Sequence, residues 1–100
     1  MWNHNYYVYI TTNPSRTVLY IGVTNDIAVR VSQHHENKGT QKSFTGKYYC
    51  YHLVYYEHFT HIEHAIAREK EIKKWRREKK EALIASTNPT WTFLNDSVIN

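Results

Sequence analysis

Two short runs near the amino end constrain this chain more than any other feature. Residues 6 to 11 (Tyr-Tyr-Val-Tyr-Ile-Thr) and 17 to 23 (Thr-Val-Leu-Tyr-Ile-Gly-Val) are dense in β-branched and aromatic side chains, which favour the extended backbone of a strand. Between them lies Thr12-Asn13-Pro14-Ser15-Arg16, a segment of turn formers. The two runs therefore predict a β-hairpin. With its turn centred between Pro14 and Ser15, Tyr9 stands directly across from Tyr20, and both hydroxyls share one face of the sheet. Cross-strand aromatic pairs commonly serve only to stabilise a sheet, so this pair alone defines no chemistry. Gly22, two residues beyond Tyr20, would let a ligand approach the strand end.

The rest of the chain alternates helix and strand signals. Thr24-Asn25-Asp26 offers N-cap residues for a helix to about Glu36, which Asn37-Lys38-Gly39-Thr40 stops. A polar loop runs to about Tyr48, a third strand covers Tyr51 to Phe59, and a helix covers Thr60 to about Lys74. A further helical stretch reaches about Ser86, where Asn88-Pro89 ends it. The order β-β-α-β-α-α implies an α+β fold, a small antiparallel three-stranded sheet with flanking helices. Trp91, Phe93 and Leu94 are expected to dock the tail on the body. At 100 residues the chain has room for one core, so residues 1–100 are read as a single domain.

Composition excludes several classes. With 41% apolar and 15% aromatic residues the chain is too rich in core formers to be disordered. Cys50 is the only cysteine, which rules out an internal disulfide. There is no apolar run long enough to span a bilayer and no charged-then-apolar leader pattern, so a soluble, cytoplasmic protein is expected. The charge is unevenly spread. The formal net charge is +4, but Arg68 to Lys80 holds eight of the thirteen basic residues with three glutamates. Such a stripe attracts polyanions and gains affinity by releasing phosphate counterions. A solvated helix face laced with Glu–Lys pairs is the plainer account.

Helical geometry singles out three polar residues. At about 100° per residue, Ile62, Ala65, Ile66 and Ile72 form an apolar stripe, and Glu69 falls inside it. An ionised carboxylate there costs several kcal/mol unless a cation or strong donors face it. By the same count Glu63 and Glu71 point to solvent. A snorkelling side chain or an internal salt bridge would also account for Glu69. In the first helix Ile27 and Val31 define the apolar side, and Arg30 and His34 lie on that side four residues apart. A guanidinium fork suits phosphate, and an imidazole can bind phosphate or relay a proton.

These residues together resemble a known family. Tyr7-Val8-Tyr9 followed by Tyr20-Ile21-Gly22 resembles the paired motif that names the GIY-YIG nucleases. Arg30 and His34 match the family's helical arginine and the histidine four residues later, Glu69 its metal-binding glutamate, and Asn88 its late asparagine. The Ala67 to Trp75 stretch with Asn88-Pro89-Thr90-Trp91 is similar to small stand-alone bacterial members. Two positions depart from the pattern: Tyr7 replaces a glycine, and Val23 stands where some repair-type members carry a lysine.

The resemblance implies an endonuclease that hydrolyses phosphodiester bonds of nucleic acid, DNA rather than RNA, with Mg2+ or Mn2+ on Glu69. Tyr9 is the expected general base, with Tyr20 orienting water, Arg30 holding a phosphate oxygen and His34 assisting. A phenol with a pKa near 10 needs help to lose its proton at neutral pH, from the cation, Arg30 or His34. Expected nucleic-acid contacts are Gly22, Arg30, Lys47, Lys73, Lys74, Arg76, Arg77 and Asn88. A non-catalytic binding module of the same fold is the alternative, and a protein-interaction domain with a basic helix is a third class. The histidines His61 and His64, with Cys50 and His52, offer no closed zinc spacing.

Overall fold

The structure, a computed structural model, describes residues 4–99. Strands β1 (Tyr6–Thr12), β2 (Leu19–Thr24) and β3 (His52–Phe59) form one antiparallel sheet in the order β2-β1-β3. Helices α1 (Ile27–Glu36) and α2 (Phe44–Lys47) separate β2 from β3; α3 (Ile62–Lys73), α4 (Arg77–Thr87) and α5 (Asn95–Val98) follow. The α+β class and the six longer elements match the sequence reading. The segment read as a polar loop to Tyr48 contains α2, and the tail adds α5; each is a single turn of four residues, too short to show periodicity in a sequence.

The hairpin register differs from the expected one by two residues. Tyr9 pairs with Gly22, and Tyr20 pairs with Thr11. Asn13, rather than Pro14, sets the turn. Its backbone oxygen accepts from the Arg16 amide (2.9 Å), and its side-chain oxygen accepts from the amides of Thr17 (2.8 Å) and Val18 (2.9 Å). Arg16 takes a left-handed φ of 60° to close it. Because side chains alternate with period two, an even slip leaves each on its original face. Tyr9 and Tyr20 therefore still share a face, as diagonal neighbours.

As the central strand, β1 is covered on both sides. Val8 and Ile10 pack with Ile21, Val54, Tyr55, Ala65, Ile72 and Ile84, the layer formed by α3 and α4. Tyr9 faces the other way, against Ile27 and Val31 of α1 and Leu53. A bulge in the β1–β3 ladder between Ile10 and Thr11 gives β3 one unpaired residue, Val54. Two consecutive side chains, Val54 and Tyr55, therefore reach the same layer.

On α3 the fully buried residues are Ala65 and Ile72, whereas Ile62 and Ile66 are each 38% exposed. Ala65 and Ile72 are seven residues apart and nearly eclipsed, so they fix the buried direction; Glu69 lies about 50° to one side and Ile66 about 110° away. The expected stripe was thus centred too far toward Ile62 and Ile66. Glu69 sits at the margin of the buried face.

The tail docks as expected, with Trp91 and Phe93 against the first layer and Leu94 against the second. Asn88 is the staple. Its Nδ2 donates to the carbonyls of Val54 (3.0 Å) and Thr92 (2.8 Å), and its Oδ1 accepts from the Thr92 amide (3.0 Å). A buried carboxamide so fully engaged serves the fold, which corrects its reading as a nucleic-acid contact. Among the described residues no helix is long and apolar enough to cross a membrane.

Candidate active site

Tyr9 is the centre of the site. It is 1% exposed, and its ring lies over its ladder partner Gly22. A Cβ at position 22 would stand 2.4 Å from the Tyr9 hydroxyl oxygen, far inside contact distance, so only glycine admits the ring. Gly22 was expected to let a ligand approach; the space above it is instead filled by Tyr9. The hydroxyl lies 2.9 Å from His34 Nε2. Burial, then the neighbouring Tyr20 phenol, push the Tyr9 pKa well above the ordinary phenol range, and Arg30 only partly offsets them. Arg30 thus favours the phenolate, as expected, but burial outweighs it.

The first helix supplies the other partner. Asp26 caps α1 by accepting from the Val29 amide (3.1 Å), which fixes the rotation of the helix over the sheet. Ile27, Val31 and His34 then face inward and are buried, while Arg30 flanks them and stays exposed. Burial, then the Arg30 charge, lower the His34 pKa to about 4. The imidazole is therefore neutral at pH 7, and in the tautomer with its proton on Nδ1 its Nε2 can accept a hydrogen bond from the Tyr9 hydroxyl. Arg30 also lines a shallow cleft of about 290 Å³ with Tyr6, Val23, Thr24, Asn25 and Ile62.

Tyr20 completes a triangle of rings. Its centroid is 6.2 Å from Tyr9 and 5.8 Å from His34, and Tyr9 and His34 are 5.7 Å apart. Phe44 of α2 stacks on the outer side of Tyr20 at 5.8 Å, and Tyr48 follows at 4.7 Å from Phe44. Sequence reasoning missed these two. The available signal was an i, i+4 aromatic pair inside an otherwise polar segment.

Glu69 stands on α3 with its side chain 15% exposed, bonded to Lys73 Nζ at 3.1 Å. It is close enough for its charge to raise the Tyr9 pKa. The Lys73 ammonium, on a half-exposed flexible stem, is a replaceable cation. One carboxylate suits a hard divalent ion that keeps most of its water and takes further oxygens from phosphate. Among the described residues no three His, Cys, Asp or Glu side chains gather to cage a metal; His61 and His64 meet each other at 5.1 Å.

Tyr9, Tyr20, Arg30, His34 and Glu69 thus converge, whereas the expected phosphate contacts are scattered. Arg77 donates to the carbonyls of Thr17 (2.7 Å) and Arg16 (3.2 Å) and to Glu81 (2.9 Å), tying α4 to the hairpin turn. Arg76 is the N-cap residue of α4, 3.8 Å from Glu78. Lys74 is exposed. Lys47, at the end of α2, lies 5.4 Å from the Tyr48 ring.

Comparisons with known proteins show the family. A family model described as the GIY-YIG catalytic domain matches residues 5–82. A UPF0213 protein of Haloquadratum walsbyi is 37% identical over 81 residues, 81% of this chain and 88% of that protein. A UPF0213 protein of Staphylococcus aureus is 38% identical over 80 residues, 80% of this chain and 94% of that protein. The solution NMR structure of a UPF0213 protein from Bacillus halodurans matches with 25% identity and a TM-score of 0.54, covering 96% of this chain and 99% of that one. With the GIY-YIG family model matching residues 5–82, most of its length, the chain belongs to the GIY-YIG family.

Proposed function

We propose that this protein hydrolyses phosphodiester bonds of nucleic acid, DNA in preference to RNA, in a divalent-cation-dependent reaction. The observation that carries the proposal is the 2.9 Å contact between the buried Tyr9 hydroxyl and a neutral His34, with a guanidinium and a carboxylate close by. Arg30, exposed at the cleft wall, binds a non-bridging phosphate oxygen through its fork of donors. A water attacks phosphorus in line with the leaving oxygen. Its proton passes to the Tyr9 oxygen as the Tyr9 proton moves to His34 Nε2, so no free phenolate forms in a place that disfavours one. Phosphate bound at Arg30 cancels the positive charge that depresses His34, which raises the basicity of the imidazole when substrate is present. Tyr20 orients the water. Glu69 is the residue that would hold Mg2+ or Mn2+, which supplies charge neutralisation at the phosphate and leaving oxygen.

The test is incubation with labelled single-stranded and duplex DNA and RNA, with Mg2+, Mn2+ or chelator. Cleavage that needs the cation, and falls on the order of 10³-fold in a folded Glu69→Gln variant, is the expected result. Binding without cleavage in every arm would make the protein a binding module of the same fold.

A further inference from the structure

The nuclease reading leaves one surface without a task, the aromatic ledge of α2. Phe44 is 47% and Tyr48 42% exposed, yet neither is loosely held. Ser43 caps the turn by accepting from the Gly46 amide (3.1 Å), and Gly46 O accepts from the Gly39 amide (2.8 Å). A Cβ on Gly46 would lie 2.3 Å from Thr40 Cγ2 and 2.5 Å from Asn37 O; α2 is thus pressed onto the preceding turn as only glycine allows. The ledge is rigid. It is also continuous with the chemistry, because Phe44 stacks on Tyr20 and Tyr20 touches both Tyr9 and His34.

We propose that Phe44 and Tyr48 form a stacking subsite for the unpaired nucleobase adjoining the scissile phosphate. Flat exposed rings suit flat bases, and stacking is tolerant of base identity. The charge around the ledge selects a polyanion over an apolar protein surface. From Asn37 to Cys50 the chain holds Lys38, Lys42 and Lys47 and no carboxylate, and none of the three has a carboxylate partner among the described residues. Lys47 Nζ lies 5.4 Å from the Tyr48 ring, placed to meet the phosphate of a base resting there. A base paired inside a duplex keeps its faces covered by its neighbours, so the ledge addresses a base that is out of the stack.

The inference rests on the nuclease reading for the position of the cut, but its test does not need cleavage. The probe is a short single-stranded oligothymidylate carrying one 2-aminopurine, titrated with protein in chelator. Stacking quenches the probe. The expected result is a quench in the parent protein, its loss in Phe44→Ala and Tyr48→Ala, a roughly 5- to 100-fold fall in affinity in each, and recovery in Phe44→Trp. Both side chains are exposed, and unchanged circular dichroism will show that the variants fold. Equal quench and affinity in parent and alanine variants overturn the subsite, even where the parent cuts DNA with Mn2+. Loss of quench in a protein that never cuts leaves the subsite standing and removes the nuclease reading instead.

Discussion

The stretch from Arg68 to Lys80 carries eight cationic side chains and the segment from Asn37 to Cys50 carries three, yet the two offer a polyanion similar net charge. Four of the eight, Arg68, Lys73, Arg76 and Arg77, are met by five carboxylates, from Glu57, Glu69, Glu71, Glu78 and Glu81. Arg68 is the clearest case. It donates to both oxygens of Glu57 on β3 (2.9 to 3.2 Å) and to Glu71 (2.7 Å), while Tyr55 also donates to Glu57. Its guanidinium lies 5.1 Å from the Trp75 ring. A side chain so engaged locks α3 to the sheet. The three lysines of the other segment have no such partners among the described residues, and Lys47 stands beside the exposed Tyr48 ring. Counting charge along a chain therefore measures supply, and only the fold shows what is left to bind.

The largest expected effect breaks this contrast at its strongest point. With Arg68 and Glu57 side chains 26% and 19% exposed, removing the guanidinium strands a half-buried carboxylate and a phenol. Arg68→Ala should lower unfolding free energy by about 3 kcal/mol in urea titrations while changing oligonucleotide affinity by less than about twofold. A variant as stable as the parent but weaker in binding would show that the helical stretch is the nucleic-acid surface after all.

Acid should separate the two regions in order. Burial lowers the His34 pKa to about 4, so the unfolded chain binds more protons between about 6.5 and 4. The stability this buried neutral imidazole contributes is fully present above pH 6.5 and lost as pH falls through that window, roughly 3 kcal/mol in all. His52, lowered by burial and then by Arg16, His35 and Lys38, adds in the same direction. Glu57 behaves differently. Burial works to raise its pKa, but the hydrogen bonds from Arg68 and Tyr55 prevail and hold it below the usual carboxylate range. Its contribution is present above the ordinary carboxylate pKa and disappears only as pH falls through that lower value. Urea titrations from pH 7 to 4 should therefore show a loss that His34→Gln mostly abolishes and Arg68→Ala leaves in place. A pH-independent parent would remove the neutral imidazole from the site.

Much of the arrangement is written in local sequence, and each miss has a physical cause. The strand runs and α1 are set by residue type, capping and period, which neighbours in sequence determine. Arg30, His34 and Glu69 were visible as polar groups at or near apolar faces. Two of the misses depended on distant contacts, and one on side-chain bonds inside a turn. Asn13, reaching to the amides of Thr17 and Val18, shifted the register. Asn88, bonding the carbonyl of Val54, became a staple. Tyr9 lost water through packing against α1 and Leu53, which reversed its expected acidity. The short α2 turn was hidden for a different reason, since four residues cannot express a helical period.

The smallest expected effect tests the other half of the comparison. Replacing Lys38, Lys42 and Lys47 together with glutamine removes three charges that neutralise no carboxylate among the described residues, so the melting temperature should stay within about 2 °C of the parent. Affinity for a single strand should fall about tenfold near physiological salt, since each phosphate contact is modest. The salt dependence is the sharper readout: each lysine that meets a phosphate contributes roughly 0.7 to the slope of log affinity against log salt for a single strand, so the triple variant should lose up to about 2. Substituting Lys70, Lys74 and Lys80, which have no carboxylate partner among the described residues, gives the matched control, with the same charge removed from the helical side. An equal loss of slope from both sets would mean that a strand spans both surfaces. Loss from the helical set alone would put the phosphates on α3 and α4 and leave the ledge without a backbone to accompany its base.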